Sequence, residues 1–168
     1  MIPLETDLNK ISYWAHKRED QNFRFRTFLK GQDDHKIDRL AHQINKEVEA
    51  QIDCTLCGNC CKELKMGLKT EEIDALAKID HISREQFIGK YTENDDFGDS
   101  VFMKDIPCKY LIDNKCSVYE SRPEDCRSFP HVHKKNIISR TWGMIGNYGI
   151  CPIVFNVMER LKIESGFR

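Results

Sequence analysis

Four cysteines fall within eight residues, Cys54, Cys57, Cys60 and Cys61, and four more follow at wider spacing, Cys108, Cys116, Cys126 and Cys151. Thiols packed this densely have few uses other than holding metal. The unbroken run Cys54-x-x-Cys57-x-x-Cys60 can wrap three sulfurs around one face of an ion or a cubane. Cys60 and Cys61 are adjacent, and neighbouring side chains usually diverge. The expectation is that they serve different sites, or that one stands behind the other.

The spacing narrows the metal. All-sulfur ligation suits zinc and iron–sulfur clusters and disfavours magnesium, calcium and manganese, which prefer oxygen. Structural zinc typically takes two cysteine pairs across a long loop, whereas a three-cysteine run with a remote Cys-Pro is more characteristic of a cubane. Cys151-Pro152 is such a dipeptide. The expected cofactor is an iron–sulfur cluster of 4Fe–4S type, with zinc as the alternative, and the eight cysteines suffice for two four-cysteine sites. Arg122 and Arg127 flank Cys126. Beside an anionic cluster their guanidinium groups would stabilise the reduced state, so both are candidate cofactor-binding residues. The competing reading pairs them with Glu120, Glu124 or Asp125 as weak surface ion pairs. His131 and His133 could replace thiolate at zinc or iron, but they stand outside the first ligand set.

Composition sets the surroundings. The opening Met1-Ile2-Pro3-Leu4-Glu5-Thr6-Asp7 places charges where a signal peptide needs an apolar core, and no stretch approaches the roughly 20 apolar residues of a membrane span. A cytoplasmic protein with reduced thiols is expected, since cysteines in a reducing compartment rarely form disulfides. A net charge of −1 offers no overall attraction to nucleic acid or to an acidic membrane. The basic-aromatic stretch Phe23-Arg24-Phe25-Arg26 reads better as helical packing than as a surface for single strands. No phosphate loop, nucleophile elbow or Ser-His-Asp set is present, and the acidic stretch 93–99 lacks the spacing of a calcium loop. The partners expected are metal ions and an unidentified protein, without nucleic acid or membrane.

The elements that must position these thiols are mostly helical. Phe25, Phe28 and Leu29 share a helix face with Gly31 as a stop, and Asp33 or Asp34 can cap a second helix carrying Ile37, Leu40, Ala41, Ile44 and Val48 at three- and four-residue spacing. Periodicity gives way near residue 52 to cysteine-rich, turn-rich sequence. Thr70 is a candidate cap for a helix carrying Ile73, Leu76 and Ala77, and Ser83 with Gln86 forms a capping box for another. Residues 93–99 read as a loop and Val101–Met103 as a strand. Residues 108–112 and 115–119 read as a hairpin turning at Asp113-Asn114, with Cys108 opposite Cys116. Ser121, Pro123 and Glu124 read as the start of a short helix that aims Cys126. The fold class expected is mainly α with a small antiparallel β-hairpin. Residues 1–168 are expected to form a single domain, with a helical segment 1–52 packing on the cysteine-rich region 53–168.

The sequence resembles the YkgJ-like cysteine-cluster family of zinc- or iron-chelating domains, whose hallmark is Cys-x-x-Cys-x-x-Cys-Cys. Cys54, Cys57, Cys60 and Cys61 meet that hallmark. Cys108, Cys116, Tyr119 and the run Arg122, Pro123, Cys126, Arg127, Phe129 and Pro130 meet the family's middle pattern, and Cys151 supplies its late cysteine. The resemblance covers roughly residues 53–152 and implies metal or iron–sulfur binding, in a structural or redox role. Similar motifs occur in flagellin lysine methylases, which implies an enzymatic alternative, although 168 residues leave little room for a further substrate domain. Metal storage or delivery is a third class.

Overall fold

The computed structural model describes residues 3–98 and 100–168. In chain order the helices α1 (Leu8–Lys17), α2 (Glu19–Leu29) and α3 (Asp34–Glu49) lead into two single-turn helices, α4 (Cys54–Cys57) and α5 (Cys60–Glu63). Strand β1 (Gly67–Leu68), helices α6 (Thr70–Ile79) and α7 (Arg84–Tyr91), and strands β2 (Thr92–Asn94) and β3 (Val101–Met103) follow. Strands β4 (Leu111–Ile112) and β5 (Lys115–Cys116), a 3-10 turn (Tyr119–Ser121), and helices α8 (Glu124–Ser128), α9 (Ile137–Tyr148) and α10 (Pro152–Glu164) complete the order. The architecture is mainly helical with small antiparallel sheets. Among the described residues no helix is long and apolar enough to cross a membrane.

The chain divides into two compact units, one made of the residues up to Asp53 together with Pro130–Arg168, the other of Cys54–Phe129. In the first, α3 lies along α10, and α9 packs against α2, α3 and α10. The stripe Ile37, Ala41, Ile44 and Val48 is buried, as its periodicity requires, in a core with Ile153, Val154, Val157, Met158 and Leu161 of α10. Burying each such side chain contributes roughly 1.5–3 kcal/mol, so this layer dominates the unit. Asp33 caps α3 by accepting from the Lys36 N–H at 2.7 Å. Asp38 on α3 accepts from the N–H groups of Asn136 and Ile137, both at 2.9 Å, and so holds the start of α9 against its own helix.

The second unit is built around Leu68, Ile73, Leu76, Ala77, Phe87, Met103, Cys108 and Tyr110, with Cys61, Met66 and Cys116 partly buried against them. β3 lies between β1 and β2, both antiparallel to it, with Phe102 level with Gly67 on one side and Glu93 on the other. Glu93 and Asn94, read from the sequence as loop, therefore belong to a strand, and Asp99 of that acidic stretch lies outside the described residues. The capping box of α7 is present, with Gln86 N–H donating to Ser83 Oγ at 3.2 Å and Ser83 N–H to Gln86 Oε1 at 2.9 Å. At α6 the cap position is Lys69 rather than Thr70, and its N–H donates to Glu72 Oε2 at 2.8 Å.

Candidate metal centre

Cys54 and Cys57 stand one turn apart on α4, the first exposed and the second half-buried. Gly58 ends that turn with φ +59°, a conformation that side chains other than glycine rarely adopt. Its Cα faces the backbone of Asn114 in the hairpin turn, where Asp113 (φ 49°) and Asn114 (φ 62°) both take the left-handed form a two-residue hairpin favours. That contact fastens the cysteine run to β5.

Cys61 on α5 is the hub. Its carbonyl oxygen accepts from the Cys108 N–H at 2.8 Å, which brings the segment after Pro107 alongside the cysteine run. Cys108 is 6% exposed, and its carbonyl accepts from the Leu111 N–H at 2.9 Å, a turn leading into β4. Across the hairpin Cys116 is level with Leu111, so Cys108 precedes the hairpin instead of facing Cys116 within it. Cys126 comes from α8, with its Sγ 3.5 Å from the sulfur of Met66. Pro123 occupies the cap position of α8, and the Glu124 N–H donates to Glu72 Oε1 at 2.7 Å.

These thiols lie in one another's electrostatic field. The Cys60 thiol, donating to Cys61, brings Cys61 down to about 7 against the opposing effect of burial. Cys60 is thus turned toward its neighbour. Burial pushes Cys108 up, and the charges of Cys61 and Cys116 raise it further. Burial also raises Cys116; a hydrogen bond from the Val118 backbone relieves this in part, Cys61 adds a further rise, and Arg122 gives a smaller relief. Cys126 is pushed up to about 12, first by burial and then by Cys61, Cys108, Asp125 and Cys116. A cation among these sulfurs would reverse that logic, because thiols bind metal as thiolates. Among the described residues no group of three or more His, Cys, Asp or Glu side chains is placed so that it could hold a metal ion as it stands.

The two arginines separate. Arg122 lies beside Cys116, with its guanidinium 3.6 Å from the centroid of the Tyr119 ring and Nη1 donating to the Tyr119 carbonyl at 2.8 Å. Arg127 pairs with Glu124 at 3.3 Å, on a side chain 47% exposed. His131 and His133 belong to the other unit, where the His131 carbonyl accepts from Arg140 Nη1 at 2.7 Å and His133 is exposed. Cys151 is also in that unit, buried at the cap position of α10.

The sequence reading missed two contributors. Met66 places a soft thioether against Cys126. Lys109, next to Cys108, ion-pairs with Asp80 and lies 3.6 Å from the ring centroid of Tyr91 and 4.7 Å from that of Tyr110. The Tyr110 hydroxyl also donates to Asp80, at 3.1 Å. The juxtaposition Cys108-Lys109-Tyr110 was visible in the sequence, but the acid that closes it comes from 29 residues upstream.

The family model described as "CxxCxxCC: Putative zinc- or iron-chelating domain" matches residues 53–143. The chain belongs to this family. No curated protein and no solved structure matches it. The matched region of the chelating domain contains all the cysteines of the second unit and ends within α9, before Cys151. Metal binding through zinc or iron chelation is the family's property, and a donor set made wholly of sulfur fits both metals.

Proposed function

We propose that the chain is a metal-centre protein in which Cys61, Cys108, Cys116 and Cys126 hold the metal, with an iron–sulfur cluster as the resident group. The observation that carries this reading is the mutual field of the four thiols around Cys61. Each comes from a different element: α5, the turn before β4, β5 and α8. No Cys-x-x-Cys pair lies within this set, which weighs against the knuckle pairs of structural zinc. When bound, such a cluster supplies one-electron chemistry or a rigid cross-link.

The protein's own residues position the thiolates and offset their charge. The Cys61–Cys108 backbone hydrogen bond sets the separation of two ligands, and Arg122 offers positive charge beside Cys116. None of the cysteines is in a disulfide, which suits work in a reducing compartment such as the cytoplasm. The role proposed is structural or redox.

Anaerobic purification with quantification of iron, acid-labile sulfide and zinc, and an absorption spectrum of the same sample, tests this. Iron and sulfide in near-equal amounts with a broad brown band are expected. Stoichiometric zinc in a colourless protein overturns the cluster while leaving the four-cysteine set standing. Cys61→Ser and Cys108→Ser variants that keep full metal content overturn the set itself.

A further inference from the structure

Helix α3 buries one stripe and shows another to solvent. Opposite Ile37, Ala41, Ile44 and Val48, the residues His35, Arg39, His42 and Lys46 recur at spacings of four, three and four, which sets them along one face. His35, Arg39 and Lys46 are exposed and His42 is half-buried. The loop 131–136 is fastened alongside this stripe. Arg140 Nη1 donates to the His131 carbonyl at 2.7 Å, Nε to the Lys135 carbonyl at 2.9 Å and Nη2 to the Lys134 carbonyl, while His42 Nε2 donates to that last carbonyl at 3.2 Å. With these carbonyls tied inward, the loop leaves Lys134 and Lys135 exposed. Among the described residues no carboxylate pairs with Arg39, Lys46, Lys134 or Lys135. Asp38, which adjoins the loop, is already engaged by the N–H groups of Asn136 and Ile137.

The loop runs into α9, whose outer face carries Trp142 with 62% of its surface exposed. The Trp142 ring centroid is 5.6 Å from that of Phe23 on α2 and 5.4 Å from the Arg26 guanidinium, contacts that steady the ring without covering it. Next to it Gly143 and Gly146 leave open space, since a Cβ on either would meet no atom within 4 Å. All of these residues belong to the first unit.

We propose that this face docks a partner protein through an acidic amphipathic segment, whose carboxylates pair with Arg39, Lys46, Lys134 and Lys135 and whose apolar side chain lies on Trp142. Tryptophan and arginine are side chains on which binding energy concentrates at protein interfaces, and an apolar anchor flanked by one sign of charge selects a partner of the opposite sign. Because Arg140 and Asp38 hold the loop in place beforehand, docking does not have to order it. A single nucleic-acid strand needs rings in succession on which its bases stack, and the α3 stripe offers none, so an acidic protein fits this face better. Helices α2 and α3 lie outside the span 53–143 matched by the chelating family, and docking here does not depend on which metal the cysteines bind.

The test uses the full-length chain and one probe, a fluorescein-labelled synthetic peptide of Glu-Glu-Leu-Glu repeats, with affinity read by fluorescence anisotropy. Trp142→Ala and Lys134→Glu/Lys135→Glu are each expected to weaken binding by about tenfold. Trp142→Phe, which keeps an aromatic anchor, should retain most of the affinity. Lys78→Glu/Lys104→Glu, which reverses two exposed lysines of the second unit, should leave it unchanged. Metal content and the circular-dichroism spectrum should match wild type in every variant, which separates lost binding from lost fold. Equal weakening by the two lysine pairs would mean attraction by overall charge and overturn the docking face. Full binding by Trp142→Ala, or no binding by the wild-type chain, overturns it as well. Labelled oligothymidylate that binds as tightly as the peptide, and is weakened by the same variants, overturns it in favour of a nucleic-acid surface.

Discussion

Gly58 and Asn114 meet backbone to backbone: a Cβ on Gly58 would stand 2.8 Å from the Asn114 carbonyl oxygen. This approach joins the exposed half of the cysteine run to the hairpin that carries Cys116. Gly58→Ala adds both a collision with backbone and a left-handed residue, each strained, and is expected to destabilise the second unit by about 1–3 kcal/mol. Because the displaced element bears Cys116, one of the proposed ligands, metal affinity should fall as well. A Cβ on Gly89 of α7 would meet no atom within 4 Å, so Gly89→Ala should be neutral or stabilising by about 0.5–1 kcal/mol. Thermal melts and metal titrations of the two variants check the contrast.

The cysteines should not be equivalent. Cys61 touches both the Cys60 thiol and, through its carbonyl, Cys108, so Cys61→Ser removes a proposed ligand whose thiol is held down to about 7 by Cys60. Metal binding should weaken by at least a hundredfold, while Met66→Leu, which replaces only the thioether beside Cys126, should weaken it several-fold. Equilibrium competition for zinc orders the variants, and circular dichroism of the metal-free chain establishes that each still folds.

Where one side chain's neighbours lie close in sequence, the sequence was readable. The α3 stripe, the Ser83–Gln86 capping box and the Asp113-Asn114 turn each depend on spacings of a few residues, and the structure contains all three. Elements set by distant partners were not readable. β2 depends on pairing with β3, the first N–H of α8 donates to Glu72 from 52 residues away, and the start of α9 is held by Asp38 from 98 residues away. The helices α9 and α10, which the sequence reading left unassigned beyond Pro130, complete the first unit around α3. At the candidate centre the cysteines stood out in the sequence as donors, but the proximity of Cys61 to Cys108, Cys116 and Cys126 did not, because it is fixed by backbone bonds such as Cys108 N–H to the Cys61 carbonyl.

Asp38 gives the first unit an acid-sensitive clamp. Burial raises its carboxyl, but the N–H groups of Ile137 and Asn136, with His42 and Arg140 nearby, outweigh that effect and hold it below the usual carboxylate value. A depressed folded-state value means the stabilisation is fully present above the unfolded-state value and is lost as pH falls through the folded one. Asp38→Ala should therefore cost about 1 kcal/mol at neutral pH, as loss of a helix cap does. The difference from wild type should close under strongly acidic conditions, once Asp38 is protonated in both states. Denaturant unfolding across that pH range tests the sign.

Lys109 fastens the segment that carries Cys108 to α6 and α7. It ion-pairs with Asp80, whose side chain is only 16% exposed, and lies over the rings of Tyr91 and Tyr110. Lys109→Met preserves the apolar stem but leaves Asp80 without its counter-charge, at a cost of about 1–3 kcal/mol. Changing Asp80→Asn in the same chain should restore part of that loss, since no charge is then left unpaired. A double-mutant cycle on thermal stability measures the coupling, and additive single effects would show that the pair is not a unit.

Arg122 and Arg127 flank the same cysteine in sequence but differ in what they face. Arg122, stacked on Tyr119 and fixed by the Tyr119 carbonyl, is near enough to Cys116 for its charge to offset a small part of the rise that burial imposes on that thiol. Arg127 is half-exposed and already paired with Glu124. With a cluster bound, the more reduced state carries more negative charge, so Arg122→Gln should make the potential more negative, on the order of tens of mV. Arg127→Gln should leave it within error of wild type, because a solvent-screened pair at the surface contributes little. Arg122→Lys distinguishes charge from stacking. Lysine retains the cation but not the planar guanidinium that stacks on Tyr119, so a potential restored only in part would divide the effect between field and fixed geometry. Redox titration of the three variants reads the outcome, and equal shifts for Arg122→Gln and Arg127→Gln would remove the distinction between them.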